Sequence, residues 1–228
     1  MKAIILAGGF GTRIAAIANG LPKPLLKVAG KPILQHQVEF LRDNGLDDIR
    51  LSLHYKADQI IEFCERMWPG RMEFVVEKEP LGTGGAIKFA ARDLGEQFLV
   101  VNGDILSDID LNEFLSLRAS AVCCTFLEDA RDFGLIEVKD GKVNAFYEKP
   151  KEKIPGYINA GFYLLTQDAF SHVSRDTFMI EQDVFPHLAR QGLLGAYIHN
   201  GFWIDVGTRE RFERAGSGHQ FYGQARRA

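Results

Sequence analysis

Apolar positions along the chain follow two rhythms. In the first, short all-apolar runs alternate with stretches of helical spacing. Ala3-Ile4-Ile5-Leu6-Ala7 reads as a buried strand, Ile49 to Leu53 and Phe74-Val75-Val76 as two more, and Phe98-Leu99-Val100-Val101 as a fourth that ends on Asn102-Gly103-Asp104. Between them, Pro32 to Asn44 sets Leu34, Val38 and Leu41 on one helical stripe with Gly45 as its stop. Ala57 to Trp68 sets Ile60, Ile61, Cys64 and Met67 at helical spacing, and Thr83 to Leu94 forms another helix after a glycine turn. Strands alternating with helices predict a parallel sheet covered on both faces.

The second rhythm begins past residue 110. Val122 to Leu127, Leu135 to Val138, Val143 to Tyr147 and Tyr157 to Leu165 read as strands with little helix between them. Antiparallel strands and hairpins appended to the parallel sheet are the expectation, with Lys139-Asp140-Gly141-Lys142 as a hairpin turn. Gln167 to Val173 and Ile180 to Arg190 are predicted helices, and Leu194 to Asp205 carries the last strands. From Ala215 the chain is rich in Gly, Gln and Arg and is expected to be loose. There is no internal repeat and no low-complexity linker.

A length of 228 residues with 46% hydrophobic content suits one domain with a sizeable core. The net charge of −3 gives no global basic field, so nucleic acid is not an expected partner. No apolar run is long enough for a membrane span, and Lys2 leads straight into a strand rather than a cleavable leader, so the cytoplasm is the expected setting. Cys64, Cys123 and Cys124 are too few and too badly spaced for a disulfide framework or a zinc site and read as buried small hydrophobes.

Charge changes the picture locally. Residues 1–38 contain no Asp or Glu, yet they carry Lys2, Arg13, Lys23, Lys27 and Lys31. Within that stretch the first strand runs into Ala7-Gly8-Gly9-Phe10-Gly11-Thr12-Arg13. Three glycines permit a tight loop and let backbone N–H groups approach an anion without obstruction. A glycine loop at a strand end among unopposed cations suits polyphosphate. Taken alone, the loop reads equally as a plain strand-to-helix turn. A dinucleotide loop would want G-x-G-x-x-G/A, but Ile14 holds the last position, and no Gly-Lys-Ser/Thr of a Walker loop occurs.

The run Leu6 to Arg13 followed by Leu21-Pro22-Lys23-Pro24-Leu25 resembles the opening of the sugar-1-phosphate nucleotidylyltransferases. The likeness continues through Glu79 to Ala86, Val101-Asn102-Gly103-Asp104, Glu148-Lys149-Pro150, Asn159-Ala160-Gly161 and Trp203-Ile204-Asp205-Val206-Gly207. It implies a Rossmann-like three-layer α/β/α nucleotidyltransferase core with a mixed sheet and appended antiparallel strands. A single domain over 1–228 is expected, with a nucleotide half about 1–110, a sugar-phosphate half about 111–214 and a loose tail 215–228. Some members carry a hexapeptide-repeat β-helix after this domain, and this chain is expected to lack one. Where many relatives follow the Arg with Leu-x-Pro-Leu-Thr, this chain has Ile14-Ala15-Ala16-Ile17. That segment, the Glu77 to Lys88 block and Asp108-Ile109-Asp110-Leu111 most resemble the short bacterial D-glycero-α-D-manno-heptose-1-phosphate guanylyltransferases, which make GDP-heptose for surface polysaccharide.

The reaction so implied joins a nucleoside triphosphate to a sugar 1-phosphate and releases pyrophosphate. The attacking phosphate oxygen is already anionic, so alignment and charge neutralisation matter more than a general base. Arg13 would clamp the triphosphate and the departing pyrophosphate, with Leu6, Ala7, Gly8, Gly9, Gly11 and Thr12 around the nucleotide, and Lys23 would balance charge at the α-phosphate. Asp104 lies at a strand's carboxyl end, where a carboxylate serves as well for a helix cap as for a metal ligand, and Asp205 sits in an apolar stretch that makes an unpaired charge costly. The resemblance makes the two the Mg²⁺ ligands, a cation that favours carboxylate and phosphate oxygens. Asp108 and Asp110 are expected to be solvated or capping. Lys149 would hold the sugar phosphate, with Gly134, Glu148 and Asn159 beside the sugar. None of the six histidines has the spacing of a ligand or base, and surface or structural roles are expected.

Base choice rests on one position. Uridylyl- and thymidylyltransferases of the family carry a Gln five residues before the Gly of the Leu-Gly motif, and here that residue is Glu77, ahead of Gly82 and Thr83. Guanine presents two donors, N1–H and its 2-amino group, which a carboxylate can accept together. The alternative is an exposed strand-end glutamate. GTP is therefore the expected nucleotide. Mannose 1-phosphate, then N-acetylmuramate 1-phosphate with UTP, follow as rival substrates, and a catalytically silent nucleotide-sugar sensor is the rival class. The oligomeric state is not legible.

Overall fold

The computed structural model describes residues 1–95, 97–147 and 149–217. In the first half, β1 (Ala3–Leu6) is followed by a 3₁₀ turn over Thr12–Ile17, another over Lys23–Leu25, and a small hairpin of β2 (Lys27–Val28) and β3 (Lys31–Pro32). Helix α1 (Ile33–Asp43), β4 (Ile49–Leu53), α2 (Ala57–Met67), β5 (Glu73–Val76), α3 (Gly82–Ala90) and β6 (Phe98–Asn102) then alternate as the apolar pattern predicts. After them come β7 (Ile105–Ser107) and the short α4 (Leu111–Leu115). Asp110 caps α4 by accepting from the Glu113 amide at 3.0 Å, one of the two roles expected of it.

The second half supplies β8 (Ala121–Leu127), β9 (Leu135–Lys139), β10 (Lys142–Tyr147), β11 (Gly156–Leu165), α5 (Phe185–Arg190), β12 (Gly195–His199), β13 (Trp203–Asp205) and α6 (Arg209–Ser217). The β9–β10 hairpin turns on Asp140 and Gly141, both at positive φ (51° and 70°), as a two-residue hairpin of that type demands. Helix α6 reaches two residues past Ala215, which it buries, and the remainder of the predicted tail, 218–228, lies outside the described residues.

Nine strands form one sheet in the order β5-β4-β1-β6-β11-β8-β12-β10-β9. The first four are parallel, and β11 joins β6 antiparallel, so the appended strands extend the same sheet. Period-two alternation covers both faces. Ala3 and Ile5, Leu99 and Val101, Phe162 and Leu164 face one core with α1 and α2; Ile4, Val100 and Tyr163 face the other with α3 and α5. The cysteines are buried in these cores as expected. Among the described residues no helix is long and apolar enough to cross a membrane.

Two features aim the sheet at a ligand. From β1 the chain moves outward through β4 and β5 and then returns to the other side of β1 as β6, a topological switch between β1 and β6. The Gly103 amide donates to Leu6 O at 3.0 Å, clamping the carboxyl ends of these two strands together. Apart from the sheet, β7 and β13 pair antiparallel with Ile105 opposite Asp205, and Val206 N donates to Asp104 O at 2.8 Å. The late segment is thereby laid alongside the end of the first half.

Candidate active site

A cleft of about 400 Å³ opens over the carboxyl ends of β1, β4, β5 and β6. Its floor is the glycine loop that leaves β1. Gly11 takes φ +61°, and a Cβ there would press on the Lys23 side chain at 3.3 Å, so the loop wraps the lysine closely. Among the described residues the amides of Gly8, Gly9, Phe10 and Gly11 donate to no acceptor, which leaves a row of N–H groups for an anion. Arg13 is exposed at the rim of the same cleft and likewise makes no ion pair with a described residue.

Lys23 crosses the cleft floor. Its Nζ lies 2.5 Å from Asp104 Oδ2, joining the Pro-Lys-Pro turn to the end of β6. Asp205 lies beyond, across the β7–β13 ribbon, and a Cβ on the cleft-lining Gly207 would meet its Oδ1 at 2.4 Å. Burial raises the Asp205 pKa, the Asp104 carboxylate pushes the same way, and Lys23, Arg211 and Arg13 counter in part. Asp205 Oδ1 is buried with no hydrogen-bond partner among the described residues. An unsatisfied acceptor beside a second carboxylate fits a hard divalent cation. No group of three or more His, Cys, Asp or Glu gathers among the described residues, so a cation held here would draw its other ligands from bound phosphates and water.

The opposite wall sets one carboxylate among small and apolar residues. Glu77, one residue past β5, is 7% exposed and faces the cleft, so it is not the solvated strand-end residue of the alternative reading. Ser52 Oγ donates to its Oε1 and the Leu81 amide to its Oε2, both at 3.1 Å. Gly82 and Thr83 open α3 at the same wall, and Ala86 lies one turn on. The Thr83 hydroxyl is already engaged, donating to Glu181 at 2.7 Å and accepting from the Ile180 amide at 3.1 Å.

The structure thus brings Leu6, Ala7, Gly8, Gly9, Gly11, Thr12, Arg13, Lys23, Glu77, Gly82, Thr83 and Asp104 to one cleft, with Asp205 directly beneath Gly207. The sugar-side residues are different. Gly134 and Lys149 are exposed and do not line this cleft, and Glu148 lies outside the described residues. Asn159 is half-buried on β11; its amide donates to Tyr163 Oη and its carbonyl accepts from the Gly161 amide, both at 2.9 Å. Asn102 donates to the same hydroxyl at 3.1 Å, so Asn159 sits at the end of a chain that reaches the cleft through Tyr163 and Asn102.

Three contributors escaped the sequence reading. Ser52 orients Glu77 from a neighbouring strand, and His54 lines the cleft beside it. Arg211 of α6 sets Nη2 3.5 Å from Asp205 Oδ2 and Nη1 3.1 Å from Asp132, with its guanidinium 5.1 Å from the Phe133 ring centroid. No local spacing marks any of these; each depends on strands or helices meeting from distant parts of the chain.

Residues 2–220 match the family model described as nucleotidyl transferase. The D-glycero-alpha-D-manno-heptose 1-phosphate guanylyltransferase of Campylobacter jejuni subsp. jejuni is 33% identical over 215 residues, 93% of this chain and 97% of that protein. The mannose-1-phosphate guanyltransferase of Aspergillus oryzae is 34% identical over 226 residues, 93% of this chain but 62% of the relative, so the chain spans about three-fifths of that protein's length. Among solved structures, HddC from Yersinia pseudotuberculosis complexed with GMP-PN superposes with a TM-score of 0.83 at 35% identity, covering 94% of this chain and 97% of that one.

Proposed function

The chain belongs to the nucleotidyl transferase family, and from that premise we propose that it transfers GMP from GTP to a sugar 1-phosphate, D-glycero-α-D-manno-heptose 1-phosphate by preference, and releases pyrophosphate. The observation that carries this reading is the joining of Lys23 to Asp104 across the mouth of an anion-ready glycine loop, with Asp205 beneath. The full-length likeness to a heptose-1-phosphate guanylyltransferase supports the sugar, and the neighbour solved with GMP-PN supports the base.

The chemistry is displacement at the α-phosphorus. A phosphate oxygen of the sugar 1-phosphate forms the new P–O bond while the bond to the bridging α–β oxygen breaks, and pyrophosphate carries away the electron pair. The loop amides and Arg13 hold the β- and γ-phosphates and accept the charge that accumulates on pyrophosphate. Lys23, held by Asp104, offers a fixed positive charge beside the α-phosphate and needs no rearrangement during the reaction. Asp104 and Asp205 would hold Mg²⁺, which when bound neutralises phosphate charge. Lys149 is assigned to the sugar phosphate, with Gly134 and Glu148 beside the sugar. Asn159 still has one amide hydrogen and one carbonyl lone pair for a sugar hydroxyl. Glu77 reads the guanine donors, and the partners are small molecules rather than nucleic acid or membrane. A cytoplasmic setting, where such triphosphates and sugar phosphates are held, goes with this activity.

A pyrophosphate-release assay over four nucleoside triphosphates and several sugar 1-phosphates tests the reading. Highest kcat/KM is expected for GTP with the heptose 1-phosphate. Preference for mannose 1-phosphate would move the enzyme to its first rival, preference for UTP would overturn the guanine assignment, and no release with any pair would leave the silent-sensor reading standing.

A further inference from the structure

Ser52 and Leu81 each use one acceptor direction on Glu77, which leaves one on each carboxylate oxygen for guanine. Directly beside it stands a group the proposed reaction leaves idle. His54 follows the last residue of β4 and lines the cleft. Its position is fixed from three sides. A Cβ on Gly8 would meet the His54 amide nitrogen at 2.9 Å, so the glycine loop lies flat against it. The Phe10 ring packs edge-on at 5.5 Å between centroids. Nδ1 lies 3.0 Å from the carbonyl oxygen of Glu77.

That last contact sets the chemistry of the ring. A carbonyl oxygen can only accept, so Nδ1 must carry the hydrogen, and in the neutral imidazole Nε2 is then a bare acceptor. Among the described residues Nε2 has no partner. We propose that His54 Nε2 accepts a hydrogen bond from the 2-amino group of guanine and makes His54, with Glu77, a determinant of base specificity. The inference rests on the guanylyl-transfer reading above and deepens it. A hydrogen-bond pattern of two adjacent acceptors suits the paired donors of guanine. A purine that lacks the amino group keeps its N1–H for Glu77 and forfeits the His54 contact.

Inosine triphosphate isolates the contact, since it differs from GTP only in lacking that amino group. The experiment measures kcat/KM for GTP and ITP with one fixed sugar 1-phosphate in the parent enzyme, in His54→Asn and in His54→Phe. Asparagine keeps a donor for the Glu77 carbonyl and deletes the far edge of the ring; phenylalanine keeps the ring and deletes both nitrogens. The parent should prefer GTP over ITP by about three- to tenfold, the worth of one neutral hydrogen bond, and either variant should lose that factor. Turnover of ITP reports folding within the same assay. A parent that uses GTP and ITP equally overturns the inference, as does a variant that turns over ITP and keeps the parental ratio. Failure of the underlying reading looks different: the parent then releases no pyrophosphate from either purine nucleotide with any sugar 1-phosphate.

Discussion

The two ends of the parallel strands handle charge in opposite ways. At the amino ends, Lys2 Nζ pairs with Asp48 at 2.9 Å and Glu73 at 2.7 Å, while Arg50 pairs with Glu73 at 2.6 Å and Asp93 at 2.5 Å and also donates to Ala90 O. Both of these cations have their carboxylates, and the Arg50 contact holds the Asp93 carboxyl down at about 2. At the carboxyl ends, Arg13 and a row of loop amides have no acceptor among the described residues, and Asp205 keeps a buried oxygen unsatisfied. The same residue types therefore hold the fold at one end and wait for a ligand at the other. Lys23–Asp104 is the pair that the carboxyl ends do complete, and it lies among the groups left open.

The contrast can be broken most severely at the carboxyl ends. Asp104→Asn and Asp205→Asn should each lower turnover by on the order of a thousandfold, the scale of deleting one fixed electrostatic contact in a closed site. Each should need more Mg²⁺ for what remains, and a normal rate at limiting Mg²⁺ would remove that residue from the metal site. Asp205→Asn should at the same time stabilise the ligand-free protein. Because the folded state raises the Asp205 pKa, its ionised form is disfavoured there, and the gain should grow as pH rises above the unfolded value of 3.8. Melting curves at several pH values measure this.

Next in size are the two cations proposed for the phosphates. Arg13→Ala should cost about ten- to a hundredfold in kcat/KM, seen in both nucleotide KM and kcat, whereas Lys149→Ala should act mainly on the KM for the sugar 1-phosphate. The opposite split for Lys149 would reverse the two half-sites. Glu77→Gln should weaken GTP relative to UTP by about 1–3 kcal/mol of discrimination. The Leu81 amide needs an acceptor, so it fixes the orientation of the new side chain: the amide oxygen faces Leu81, and the NH₂ group turns to the Ser52 side. An unchanged GTP/UTP ratio would take Glu77 out of base selection.

Arg50→Met, at the amino ends, should leave kcat intact at moderate temperature and cost about 1–3 kcal/mol of stability by removing a buried guanidinium from two half-exposed carboxylates and the Ala90 carbonyl. The pH dependence differs in sign from that of Asp205. A carboxyl held low adds stability above its unfolded value of 3.8 and loses it as pH falls toward about 2, so the gap between parent and variant should narrow in acid. A large loss of activity in this variant would erase the distinction between the two ends.

Much of this was legible because it is local. The hydrophobic rhythm located every large strand within a residue or two, and Asp140-Gly141 announced its hairpin. The helix predicted for Thr83 to Leu94 stops at Ala90, where Arg50 donates to the Ala90 carbonyl and the Leu94 amide turns back to Ala91 O, which Gln167 also reaches. Ile180 to Arg190 begins as a π-turn through Val184 before Pro186, which lacks the N–H for a regular α-helical bond at that point. The nucleotide residues could be grouped from sequence since one continuous loop and three strand ends carry them. Ser52, His54 and Arg211 could not, because strand register and a distant helix decide what they face.

The β7–β13 ribbon has a consequence for how the protein is made. Synthesis delivers Asp104 long before Asp205, and the strand that places Asp205 beside it is β13. A nascent chain that ends between them carries the glycine loop, Arg13 and Lys23 but one of the two carboxylates. Competence arrives late, when a segment of high sequence separation docks against one that has already folded. The two carboxylates can therefore meet only after nearly all of the described chain has been made.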